Sequence, residues 1–136
     1  MSYTLSMEQC TFCKIAQKEI PSNLVFENNT VFAFLDINPV SDGHILVIPK
    51  SHYKKMTDTP DKLLAELFST CKKLMGGIKQ AMNADYVAVS VVGLDVPHFH
   101  IHLIPRRYDD GLAGFWPTKK LANGQAIAEK IKKALD

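Results

Sequence analysis

Three of the chain's five histidines fall in one short run, Val96 to Pro105 (VPHFHIHLIP), at every second position: His98, His100 and His102. Imidazole is the side chain whose ordinary pKa lies closest to neutrality, so it can serve as nucleophile, proton carrier or metal ligand. Alternate residues of a strand share a face, which sets the three imidazoles on one side and Phe99, Ile101 and Leu103 on the other. At a rise of about 3.3 Å per residue, successive histidines stand about 6.6 Å apart and the outer two about 13 Å. One ion does not easily collect all three. At most two could share a metal, whereas a nucleophile needs one imidazole whose tautomer and charge are managed by its neighbours. The competing reading is a half-buried strand whose polar face happens to be histidine, and it leaves the concentration of titratable groups unexplained. Three protonated imidazoles would repel one another, which favours an anion beside them. Pro97, without an N–H, suits the first residue of the strand, and Pro105 closes it.

A second group sits near the start. Cys10 and Cys13 form a C-x-x-C, which in a reducing compartment suggests metal or redox chemistry more than a structural disulfide. Redox pairs and chance pairs share that spacing, and a tetrahedral metal site needs two more ligands. Cys71 falls on an apolar helical stripe and is expected in the core.

The elements that must hold these groups follow from periodicity. After the cysteines, FCKIAQKEI has the character of a short helix stopped by Pro21. Strands are expected at Asn23 to Glu27, Thr30 to Leu35 and His44 to Pro49, with meander spacing. Between Thr59 and Met82 apolar residues recur every three or four positions, with Thr59 as cap and Pro60 at the first helical position. Gly76 and Gly77 weaken the last turns of that helix. Tyr86 to Val92 and His98 to Ile104 read as two more strands, and Leu121 to Leu135 as a closing helix with Glu129 and Lys133 one turn apart. The expectation is an α+β fold: a largely antiparallel five-stranded sheet, one long helix, a short N-terminal helix and a C-terminal helix, with the helices on one side.

With 136 residues, 46% of them hydrophobic, the chain fits a single domain, 1–136, with a real core. A formal charge of +2 without a long basic run does not point to nucleic acid or a membrane surface. The N-terminus lacks a charged start followed by an apolar run, and no stretch approaches the ~20 apolar residues of a bilayer span. A cytoplasmic protein is expected.

HFHIHLIPR resembles the motif of the histidine-triad (HIT) family of nucleotide hydrolases and transferases. FLDINPVSDGHILVIPKSHY (Phe34 to Tyr53) is similar to an earlier signature of that family, and CTFCKIAQKEIPSNLVFENN to its zinc-containing branch. Together these cover most of the chain in the right order. The resemblance implies that His100, the middle histidine, attacks the α-phosphorus of a nucleotide and forms a nucleotidyl-histidine that water or another acceptor resolves. It implies that His102 faces the phosphate oxygens and leaving group, and that His44 is a fourth histidine reaching the triad from the neighbouring strand. It further implies that Asp36 holds the ribose hydroxyls and Ile37 packs on the base. Structural zinc on Cys10, Cys13, His52 and His98, and a homodimer, are implied in the same way. The expected substrates are purine nucleotides: an AMP phosphoramidate, as for a phosphoramidase, or a dinucleoside polyphosphate. A nucleotide-binding protein with weak turnover and a nucleotidyl transferase are the alternatives.

The chain departs from the family pattern just before the triad. A glutamine that reaches the phosphates is usual there, and Leu94 and Asp95 stand in its place. Leu94 cannot donate a hydrogen bond, and Asp95 near phosphates would repel them. Either Ser90, a backbone N–H or a side chain of another subunit substitutes, or the substrate range and rate are altered. After the motif, Arg106, Arg107, Lys119 and Lys120 surround Gly111, Gly114, Phe115 and Trp116, a set able to cover phosphates or a base, or to form an exposed loop.

Overall fold

A computed structural model describes residues 10–93, 96–112 and 117–136. In chain order the elements are α1 (Thr11–Ala16), β1 (Leu24–Glu27), β2 (Val31–Leu35), β3 (Ile45–Pro49), a 3-10 turn at Met56–Asp58, α2 (Asp61–Met82), β4 (Tyr86–Ser90), β5 (Ile101–Arg106) and α3 (Gly124–Leu135). The five strands form one sheet in the order β1-β2-β3-β5-β4 with every neighbouring pair antiparallel. The α+β architecture is therefore the expected one. No helix among the described residues is long and apolar enough to cross a membrane.

The helices do not all lie on one side. On one face Val31, Ala33, Leu35, Ile45, Val47, Ile101 and Leu103 meet Leu67, Cys71, Leu74 and Ile78 of α2 and Ile127 and Ile131 of α3. On the other, Phe32, Phe34, Leu46 and Ile48 meet Phe12, Cys13, Ile15 and Ala16 of α1. Covering both faces is why β2 and β3 are buried at every residue and read as apolar runs rather than alternations. Leu67, Leu74 and Ile78 are fully buried, each stabilising the fold by about 1.5–3 kcal/mol. A six-residue helix such as α1 is marginal alone, so its packing on the sheet must hold it. Cys71 lies in the core, and burial pushes its thiol pKa up to about 12.

Helix α2 runs through Gly76 and Gly77. At Gly77 an added Cβ would lie 2.5 Å from Leu135 Cδ2, so the missing side chain admits α3, while Gly76 faces open space. Pro60, not Thr59, occupies the N-cap; the Thr59 hydroxyl instead donates to the Lys55 carbonyl at 3.0 Å and closes the preceding turn. On α3, Glu129 meets Lys132 at 3.2 Å, one residue before the expected Lys133.

Strand β5 begins at Ile101, three residues later than expected, and includes Pro105. The Phe99 N–H is turned away to the Tyr53 carbonyl at 2.6 Å, so ladder pairing starts only after His100. Pairing with β3 stops at Leu103, so Pro105 has β4 alone beside it and its missing N–H faces no β3 partner.

Candidate active site and metal centre

The facing of the triad survives the later start of β5. Phe99, Ile101 and Leu103 enter the helix-side core, and His98, His100 and His102 lie on the α1 side, all buried. His100 Nδ1 lies 2.7 Å from the His98 carbonyl oxygen. A carbonyl only accepts, so Nδ1 carries the proton and donates, which leaves the lone pair on Nε2. The Phe12 ring meets His100 edge-on at 5.1 Å between centroids, and the His102 ring stands 5.0 Å away. Both rings fix the orientation of the imidazole.

A second relay is built where β2 and β3 part. Beyond their last pair, Leu35 with Ile45, the Asp36 N–H donates to the His44 carbonyl at 3.0 Å and brings the two residues together. The Val40 N–H donates to His44 Nδ1 at 3.0 Å, so the His44 proton is on Nε2, which lies 3.0 Å from His102 Nδ1. His102 accepts there and keeps its own proton on Nε2. Burial, then the neighbouring His102, hold the His44 pKa down at about 3. His44 is therefore neutral near pH 7, and its 3.6 Å approach to Asp36 Oδ2 is a dipolar contact rather than an ion pair. Asp36, His44 and His102 also bring ligand atoms within 4.8 Å of one another, but the His44–His102 hydrogen bond uses the lone pair a metal would need.

His100 and His102 wall a cavity of about 270 Å³ with Phe12, Phe34, Leu46 and Asp36, and Ile37, 70% exposed, stands at its margin. The combination is an apolar slot with one carboxylate and two imidazoles. Ser90 is half-buried at the end of β4, directly across from His102, and does not line this cavity. Leu94, Asp95, Gly114, Phe115 and Trp116 lie outside the described residues. Three of the four basic residues after the triad have carboxylate partners: Arg106 with Asp110 at 2.7 Å, Arg107 with Asp109 at 3.3 Å and Lys119 with Asp42 at 2.7 Å. The Arg106 guanidinium holds the Asp110 carboxyl well below the usual range. Arg107 and Lys119 border a separate cavity of about 380 Å³ beside Met82 and Pro105, and no triad histidine lines it.

Cys10, Cys13, His52 and His98 form the metal-ligand group, their four donor atoms all within 4.8 Å of one another. His98 Nδ1 is 3.4 Å from both sulfurs, and Cys13 Sγ is 3.2 Å from His52 Nδ1. His98 Nε2 donates to the Pro49 carbonyl at 2.8 Å, which turns the Nδ1 lone pair toward the cysteines. Burial, then the hydrogen bond with Cys10, push the Cys13 thiol up to about 12, so a cation is what would make it a thiolate. In a tetrahedral site with metal–sulfur bonds of ~2.3 Å and metal–nitrogen bonds of ~2.0 Å, sulfur and nitrogen stand ~3.5 Å apart, close to the separations here. These residues fit a metal.

Three supporting contacts escaped the sequence reading: Phe12 against His100, the Val40 N–H on His44 and the Pro49 carbonyl on His98. Two are backbone groups without any sequence signature, and Phe12 carried a signal only through lying inside the C-x-x-C.

The HIT domain family matches residues 17–109. An uncharacterized HIT-like protein of Methanocaldococcus jannaschii is 42% identical over 127 residues, covering 90% of this chain and 98% of the relative. An adenosine 5'-monophosphoramidase of Saccharomyces cerevisiae is 39% identical over 113 residues, 82% of this chain and 72% of the relative. A crystal structure of a Zn-bound histidine triad family protein from Mycobacterium smegmatis matches with a TM-score of 0.88 at 26% identity, over 96% of this chain and 95% of that one. On the family match and the relatives together, the chain belongs to the histidine-triad family.

Proposed function

We propose that the chain, acting as one domain, is a nucleotide hydrolase of the cytoplasm that cleaves a purine nucleoside phosphoramidate or dinucleoside polyphosphate at the α-phosphorus. The observation that carries this is the 2.7 Å contact from His100 Nδ1 to the His98 carbonyl, which presents the Nε2 lone pair as the nucleophile. That lone pair forms a P–N bond as the bond from phosphorus to the leaving group breaks. The leaving group departs with the bonding pair; where it is an amine it takes a proton from solvent, which the proton lost by the water of the next step replaces. Water then attacks the same phosphorus, releasing the nucleoside monophosphate and returning the lone pair to Nε2. The His102 Nε2–H, set by the His44 relay, donates to the phosphoryl oxygens as their charge develops. Asp36 takes the ribose hydroxyls, and the base lies against Ile37 and Phe34. Ser90, level with His102, is close enough in register to serve the phosphates through a water.

The soft Cys2His2 set is the choice for zinc, which would lock α1 to the strap after β3 and to the triad. A homodimer through β4 is supported by its place at the sheet edge and by exposed Tyr86, Val89 and Val91; the mass of a single chain by light scattering would remove it. The enzymatic reading is tested by steady-state hydrolysis of adenosine 5'-phosphoramidate. His100→Ala should lower kcat/KM by about 10⁴-fold or more, as for other lost nucleophiles. AMP binding without turnover in the unaltered chain would instead make it a nucleotide-binding protein, and product formation only with added phosphate would make it a transferase.

A further inference from the structure

Helix α1 serves two sites at once. Cys10 caps it, its Sγ accepting the Cys13 N–H at 3.4 Å, and both cysteines belong to the metal-ligand group. From the same turns Thr11, Phe12 and Ile15 wall the apolar slot beside the triad. Phe12 joins the two. Its ring stands edge-on to His98 of the metal group at 6.1 Å, to His100 at 5.1 Å and to Phe34 of the slot at 5.5 Å. Little else fixes the helix in place. Among the described residues the backbone hydrogen bonds of residues 10–20 all close within that segment, so side chains carry its tie to the sheet. Beside the cysteines, these are chiefly the buried Phe12, Ile15 and Ala16 and the Lys18–Glu27 pair at 2.6 Å, which solvent screens. A helix of six residues does not hold itself.

We propose that zinc at Cys10, Cys13, His52 and His98 regulates nucleoside binding, because metal and nucleoside both require the same docked position of α1 and so strengthen each other. The inference rests on the reading of the slot as the nucleoside site and adds its control by metal supply. The two-state element is α1, docked on the sheet or released from it. Release takes Thr11, Phe12 and Ile15 off the slot together and leaves the base one wall, on the side of Phe34 and Leu46. The metal's bonds to Cys10 and Cys13 are made in the docked state alone. Without them the apparent nucleoside affinity falls by the docked fraction, so that one chain in ten docked means binding about tenfold weaker. Linkage then requires the nucleoside to raise zinc affinity by the same factor. The effect belongs to the base end of the slot. Asp36, His44 and His102 sit on or beside β2, β3 and β5, and α1 does not carry them. Adenosine, without a phosphate, should therefore feel the metal as strongly as AMP does.

The test measures binding rather than turnover, on the full chain loaded with zinc and on the same chain stripped by a chelator, with circular dichroism following the sheet. Calorimetric titration should give Kd values for AMP and for adenosine that both rise about tenfold on stripping. In the loaded chain, chelator competition should show the zinc Kd falling by the same factor when AMP or adenosine is saturating. Phe12→Ala keeps all four ligands and removes the ring that joins the sites, so it should cut the factor to about two in both directions. A factor unchanged in Phe12→Ala, or a stripped chain that loses its sheet, would mean that the metal acts through the whole fold and would overturn the route through α1. A factor seen with AMP and not with adenosine would move the coupling to the His98 carbonyl and overturn it equally. Equal nucleoside affinities with and without zinc would overturn the coupling and leave the slot standing. If the loaded chain binds neither AMP nor adenosine, both readings fall.

Discussion

At His100 the group that directs the imidazole, the nucleophile of the proposed function, is a backbone carbonyl, and that carbonyl belongs to His98, a residue of the metal-ligand group. Two of the three alternating histidines thus act through one short turn of chain, while His102 takes its orientation from His44 on the next strand. The pattern H-x-H-x-H argued by spacing alone against one ion collecting all three, while the separate roles proposed for the three came only through the resemblance. The tautomers were not legible, since they depend on the Val40 N–H and two carbonyls that any residue supplies. His44 carries a pH prediction. Its folded pKa of about 3 lies below the ordinary 6.5, so between those values the unfolded chain holds a proton that the folded chain refuses. This stability is fully present above pH 6.5 and is lost as pH falls toward 3, with a slope of up to about 1.4 kcal/mol per pH unit. Urea midpoints measured from pH 7 to 4 should fall more steeply for the natural chain than for His44→Gln, and equal slopes would remove His44 as the source.

Among the elements, the five strands and three helices were readable because apolar residues keep period two or run unbroken in the sheet and recur every three or four positions in α2. What periodicity missed is tertiary. Strand β5 starts late because the strap at Tyr53 takes the Phe99 N–H, and α1 packs on the opposite face from α2 because Phe12 and Ile15 fit the phenylalanines of β2. The adjacent glycines of α2 looked alike in the sequence, yet only Gly77 makes room for Leu135. Gly76→Ala should stabilise by about 0.5–1 kcal/mol, since the exposed site has open space and alanine is the better helix former. Gly43 works in the other direction: its φ is +92° and a Cβ would lie 2.6 Å from Met82 Cγ. Gly43→Ala should cost about 1–3 kcal/mol and disturb the adjoining His44. Denaturant midpoints of the two variants check both signs.

For the molecule as a whole, the Cys10, Cys13, His52 and His98 group is the joint between the N-terminal helix, the strap after β3 and the turn that carries His100. The C-x-x-C was visible in the sequence, but His52 and His98 stand 46 residues apart and reached it only through the resemblance. Cys13→Ser should remove about one zinc per chain and lower stability by roughly 3 kcal/mol or more, as loss of a tightly bound metal does. Metal analysis beside thermal unfolding tests this, and unchanged zinc content with unchanged Tm would contradict it. On the proposed function the metal has a structural part and His100 carries the chemistry. The most direct measurement is an acid-free quench of the protein with adenosine 5'-phosphoramidate, followed by intact-mass and peptide analysis. One adenylate bonded through nitrogen to His100, absent from His100→Ala, is the expected result; an adenylate on another residue, or equal labelling of the variant, would remove His100 as the nucleophile.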